Sequence, residues 1–126
     1  MIQKILIGAL LILGSWALAQ EMDADMDADI LDDNVVNFHI QAGTGALPWN
    51  APANPIRVHI GQVLRFYNDD HVHHQLHTSG SPCPHGDDFA PGQTYDCVIT
   101  KKHNAATGGC YDHLYGPMAQ VYIQAD

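Results

Sequence analysis

The stretch "GGCYDHLYGPMAQVYIQ", residues 108–124, carries two patterns that meet at Met118. Its second half alternates: Ala119, Val121 and Ile123 are apolar and are separated by Gln120, Tyr122 and Gln124. Period-two alternation over this length is the mark of a strand with one buried face. Its first half sets a thiol, an imidazole and a thioether at Cys110, His113 and Met118. These three donors are expected to project from one turn between two strands, which supplies most of a metal site and leaves one ligand to be found elsewhere.

Working outward, the same period recurs. In "VVNFHIQA" (35–42), Val36, Phe38 and Ile40 share a face. "PIRVHI" (55–60) places Ile56, Val58 and Ile60 together, "VLRFYN" (63–68) does so for Leu64 and Phe66, and "TYDCVIT" (94–100) is a further strand. Gly, Pro, Asn and Asp fill the gaps, and no long amphipathic helical stretch is present. The expected fold is therefore all-β, a Greek-key sandwich or barrel, with at most a short helix confined to a loop.

The amino-terminal stretch is of another kind. "MIQKILIGALLILGSWALAQ" joins Lys4, an apolar run from Ile5 to Leu13 and the small-residue box Ala17-Leu18-Ala19. That is the pattern of a secretory leader, with cleavage expected before Gln20. The apolar run is shorter than the roughly 20 residues of a membrane-spanning helix, so no insertion is expected after cleavage. Residues 20–33 hold the tandem Met-Asp-Ala-Asp repeat. Carboxylates at every second position repel one another and bury nothing, so an acidic, disordered tail is expected, either simply solvated or loosely metal-holding through Met22 and Met26. Residues 34–126 are then the folded domain, long enough for one core.

The whole chain has 5 Lys and Arg against 14 Asp and Glu, a formal charge of −9. That sign excludes a nucleic-acid binder. No nucleophile–base pair or carboxylate pair stands at suggestive spacing, so hydrolysis has no support. Three cysteines in an exported chain leave one thiol outside any pair. With Cys110 assigned to a metal, Cys83 and Cys97 remain to form a disulfide.

The missing ligand is sought in "FYNDDHVHHQLHTSG" (66–80), which offers His71, His73, His74 and His77. Leu76 should face the core, and residues two apart share a face, so His74 points inward while His73 and His77 point out. His74 is thus the expected fourth ligand, with the other three as alternatives. Two imidazoles and a thiolate with a weak axial thioether make a type 1 copper site. Zinc takes a thioether poorly, and non-haem iron would want a carboxylate.

On these residues the chain resembles the cupredoxins, small blue-copper proteins that include plastocyanin and pseudoazurin. The resemblance covers about residues 34–126. It rests on "GQVLRFYNDD" followed by His74, on Cys110-x2-His113-x4-Met118, and on "MAQVYIQ". It implies one type 1 copper ion held by His74, Cys110, His113 and Met118, and a monomeric periplasmic electron carrier rather than an enzyme. A redox partner would dock near His113 on an apolar patch of Leu114, Tyr115 and Pro117, with Trp49 either joining it or packing in the core. The chain departs from the family at Asp112, where proline usually precedes the loop histidine, at Gln75, usually asparagine, and at the glycine-rich approach to Cys110. The His-rich turn and the acidic tail point to a rival role, sequestering or oxidising copper to protect the cell.

Overall fold

The computed structural model describes residues 33–126, and its compact unit runs Asn34–Asp126. The leader expected over 1–19 and all of the acidic tail expected over 20–33 except Asp33 lie outside the described residues. Among the described residues, seven strands follow in order: β1 Val35–Ile40, β2 Ile56–Val58, β3 Val63–Asn68, β4 Leu76–His77, β5 Thr94–Val98, β6 Tyr111–Asp112 and β7 Ile123–Ala125. A 3-10 turn, Ala105–Thr107, sits in the loop before β6 and is capped by the Asn104 side chain.

β3 is the centre of a three-stranded sheet, parallel to β1 and antiparallel to β5. β2 pairs in parallel with β7, and β4 pairs antiparallel with β6. The alternation seen in the sequence sets which side chains meet. Leu64, Phe66, Ile40 and Cys97 from the first sheet pack with Ile56, Val58, Ile123 and Ala125 from the second, and with Leu76 of β4. Trp49 belongs to this core, 6 % exposed and edge-on to Phe66 at 5.2 Å. Its docking role is thereby set aside.

β2 and β7 are markedly shorter than their patterns. β2 ends at Val58 because its partner β7 ends at Ala125, and Ile60 is left half exposed beyond them. In the closing stretch only Ile123–Ala125 forms a ladder. Residues 119–121 run beside β6 instead, through Asp112 N–H to Ala119 O and Val121 N–H to Cys110 O.

Cys83 and Cys97 are bonded, which leaves Cys110 as the free, buried thiol. The bond ties the loop after β4 to β5 across a sequence separation of 14. Closing a loop of this size restricts the unfolded chain by about 3 kcal/mol. Denaturant unfolding with and without reductant is expected to differ by that amount, and the unfolded oxidised protein is expected to show one reactive thiol. Three thiols, or equal stabilities, would contradict the bond. Among the described residues no helix is long and apolar enough to cross a membrane.

Candidate metal centre

The β4–β6 pair decides where every candidate ligand goes. Leu76 lies opposite Asp112, and His77 opposite Tyr111. Side chains on a strand alternate between faces. Leu76 and Asp112 therefore point inward together with their neighbours His74 and Cys110, and all four are fully buried. Gln75, His77, Tyr111 and His113 fall on the other face and are half-buried or exposed. The sequence reading put His74 inward and His77 outward, in agreement with this arrangement. It also treated Cys110 to Met118 as one loop, whereas Tyr111–Asp112 is a strand, and strand parity aims Cys110 and His113 at opposite faces.

The four expected ligands are consequently not gathered into one site. His74 is held by two carboxylates: its Nδ1 lies 2.5 Å from Asp112 Oδ2, and its Nε2 lies 2.9 Å from Asp70 Oδ2. Both ring nitrogens are committed, and neither has a lone pair free for an ion. Asp70 also accepts from the backbone N–H groups of Gly43, Gly45 and His71, each at 2.8 Å. Asp112 accepts from Leu114 N–H at 3.0 Å, and from Gln75 N–H and Trp49 Nε1–H at 3.3 Å. Burial opposes charging His74, but the hydrogen bonds and charges of Asp112 and Asp70 prevail and raise its pKa above 6.5. Asp70 is held well below the usual carboxylate range. Its own burial works against this, and the donors Gly45, His74, His71 and Gly43 outweigh it.

Cys110 sits apart from this network, its Sγ 3.6 Å from His103 Nε2 and 3.7 Å from Ser81 O. Burial pushes its thiol up to about 12, so it is protonated at neutral pH. Met118 is 87 % exposed. His73 pairs with Asp88 at 2.7 Å, and His71 is exposed.

The outer face gathers a different set. Among the described residues, the group of His, Cys, Asp and Glu side chains placed to share a metal ion is His77, His85 and His113, whose ligand nitrogens all lie within 4.8 Å of one another. His77 stacks on Tyr111 at 4.2 Å and on His113 at 5.7 Å, while His85 stands edge-on to both histidines at 4.9 Å. Metal–imidazole bonds of about 2.0–2.1 Å bring two ligand nitrogens of one ion to no more than about 4 Å apart, so small ring rotations close the set. One observation points directly to a missing partner: His77 Nδ1 is buried and has no hydrogen bond. A buried polar atom without a partner costs about 1–3 kcal/mol, which a bound ion would remove. Burial, then the charges of His85 and His113, lower the pKa of His77, so it stays neutral and able to ligate.

His113 was expected in a metal site, and His77 stood among the alternatives. His85 was missed: the sequence shows it only as a histidine two residues past Cys83. The disulfide fastens the loop that carries it. Gly86 matters to the same loop, donating to Leu76 O at 2.9 Å and accepting from Gln75 Nε2 at 3.0 Å. A Cβ at Gly86 would stand 2.8 Å from the Tyr95 ring. Gly86→Ala is therefore expected to destabilise the protein by about 1–3 kcal/mol, as overpacking does, and to displace His85. Thermal unfolding checks the first, and metal affinity the second; an unchanged melting temperature would contradict the packing argument.

No protein-family model and no curated protein sequence matches the chain. Its fold does have solved counterparts. A reduced point mutant of amicyanin superposes with a TM-score of 0.56 at 14 % identity, over 75 % of this chain and 84 % of that one. A purple cupredoxin from Nitrosopumilus maritimus gives 0.52 at 13 % identity, over 72 % and 99 %. The chain has the cupredoxin fold. A second amicyanin mutant, solved in its Cu(I) state, superposes with a TM-score of 0.55 at 14 % identity over 73 % and 82 %. Identities this low carry the backbone architecture and no ligand set.

Proposed function

We propose that this cupredoxin-fold protein is exported and handles copper, binding the ion through His77, His85 and His113 on its outer face. The observation that carries the reading is the set of three imidazoles whose ligand nitrogens lie within 4.8 Å of one another, one of them, His77, having a buried Nδ1 without a hydrogen-bond partner. Neutral imidazoles suit copper, zinc and nickel, and Cu²⁺ forms the strongest complexes among the divalent ions of its row. Export is supported by the leader pattern of residues 1–19 and by the Cys83–Cys97 disulfide, which belongs to an oxidising compartment. The copper carried by the amicyanin structure and the cupredoxin fold itself favour copper over zinc.

Sequestration fits this site better than type 1 electron transfer. A type 1 centre at His74, Cys110, His113 and Met118 would require His74 to leave two carboxylates. It would also have to bring together side chains that strand parity separates. The exposed Leu114, Tyr115 and Met118 beside His113 offer an apolar surface on which a copper donor or acceptor protein would dock.

Titration of the mature protein with Cu²⁺, followed by electron paramagnetic resonance and visible absorption, tests the reading. Nitrogen-ligated Cu²⁺ with a weak visible band is expected, unchanged in Cys110→Ser and lost in His85→Ala. An intense sulfur-to-copper band that vanishes in Cys110→Ser would overturn it in favour of the type 1 carrier.

A further inference from the structure

We infer that the cavity on the outer face of the β2–β7 pair binds a small organic monocarboxylate, its carboxylate held by Arg57 and its apolar body lying against Tyr122 and Pro55. The cavity shares no residue with His77, His85 and His113, and this second site needs no metal.

Strand alternation builds the cavity floor. β2 and β7 run parallel with Arg57 opposite Gln124, between the inward pairs Ile56–Ile123 and Val58–Ala125. Arg57 and Gln124 therefore point outward, and Tyr122, two residues before Gln124, lies on the same face. One wall is the loop that carries Pro52 and Pro55, and the other is the 3-10 turn Ala105–Thr107. The cleft measures about 630 Å³, within the roughly 300–1,000 Å³ usual for small-molecule sites. Both walls are fastened. The Asn50 side-chain amide donates to Tyr122 O at 2.9 Å and to Asn54 O at 3.1 Å, and its Oδ1 accepts from Tyr122 N–H at 2.8 Å. Gln124 Oε1 holds the turn, accepting from Ala105 N–H at 3.0 Å. A shape fixed in advance spares a ligand the cost of ordering it.

The polar lining offers mostly donors. Asn104 Oδ1 is spent on Ala106 N–H at 2.9 Å and Gln124 Oε1 on Ala105. The Asn104 amide N–H groups and the Tyr122 hydroxyl have no partner among the described residues. Arg57 likewise makes no hydrogen bond or ion pair among them, whereas Arg65 is held by Asp96 at 2.8 Å. A guanidinium with no acid beside it, in a chain of formal charge −9, is the group a carboxylate pairs with, through two parallel N–H···O bonds. One guanidinium balances one negative charge, and the acidic chain repels a second. A monocarboxylate is therefore favoured over phosphate or a dicarboxylate. The rings of Tyr122, Pro52 and Pro55 add apolar surface, which an inorganic ion does not use.

The test titrates the metal-free mature protein with benzoate and with hippurate and follows its backbone amide resonances. Saturable shifts are expected at residues 52–57, 104–108 and 120–124. Removing either charge, with hippuramide as the ligand or with Arg57→Gln in the protein, is expected to weaken binding by about 10–100-fold, the loss of hydrogen bonds to a charged group. Arg57 is exposed, so its substitution leaves the core untouched. Saturation by neither acid, shifts centred outside these residues, or an affinity unchanged in Arg57→Gln would overturn the site. Sulfate binding as tightly as hippurate would overturn the carboxylate assignment and leave an unselective cationic patch.

Discussion

Asp112→Ala is expected to lower the unfolding free energy by about 3–5 kcal/mol, the cost of breaking a buried charge pair from one side. The carboxylate is fully buried, and its loss would strip His74 Nδ1, Leu114 N–H, Gln75 N–H and Trp49 Nε1–H of an acceptor together. The remaining Asp70–His74 contact would not hold the β6 turn to the β4 strand. Urea unfolding measures the loss; a change below about 1 kcal/mol, the net worth of a single ordinary hydrogen bond, would show that the network is not what joins these segments.

The same network sets a pH dependence. The raised pKa of His74 means that its contribution is complete below the ordinary imidazole value of 6.5 and is lost as pH rises through the higher folded value. Asp70, with a lowered pKa, contributes above the ordinary 3.8 and loses its contribution as pH falls through the lower folded value. Both are fully present between pH 3.8 and 6.5, so stability from this source is expected to peak there and decline toward alkaline pH. Asp112→Ala should flatten that alkaline decline. A wild-type profile that rises steadily above pH 6.5 and is matched by the variant would contradict the assignment.

His77→Phe is expected to move stability and metal binding in opposite directions. Phenylalanine keeps the ring that stacks on Tyr111 and removes the buried Nδ1 that has no partner. Relief of that atom should stabilise the copper-free protein by about 1 kcal/mol, at the low end of the cost of a buried unsatisfied group. Copper affinity should fall by more than about 100-fold, because losing a direct ligand exceeds the roughly 10–100-fold loss typical of a residue behind one. Thermal unfolding without metal and a competitive copper titration give the two numbers. Wild-type affinity in the variant would end the three-histidine reading, and a large destabilisation would mean that Nδ1 has a partner in solution.

Local pattern was sufficient for much of this protein. The alternation of Val36, Phe38 and Ile40, of Leu64 and Phe66, and of Val121 and Ile123 is a property of neighbouring residues. It announced an all-β chain and named most of the core. The inward placement of His74 beside Leu76 and the outward placement of His77 followed from the same two-residue period. Assigning Cys110 to a metal left Cys83 and Cys97 to pair; they are bonded, while Cys110 is kept out of the pair by its place in the core.

The composition of the site was decided elsewhere. Whether Tyr111–Asp112 is loop or strand depends on a partner far away in sequence, since His77 supplies the pairing for Tyr111. Once paired, those residues obey strand parity, and parity sends Cys110 inward and His113 outward however close they stand in the chain. His85 joins His77 and His113 only because a disulfide and the Gly86 hydrogen bonds fold its loop back over β4. Spacing along a chain reports which donors are near one another in sequence. Which of them face one another is fixed by hydrogen bonds between distant segments, and here those bonds place a carboxylate against His74 and three imidazoles together on the opposite face.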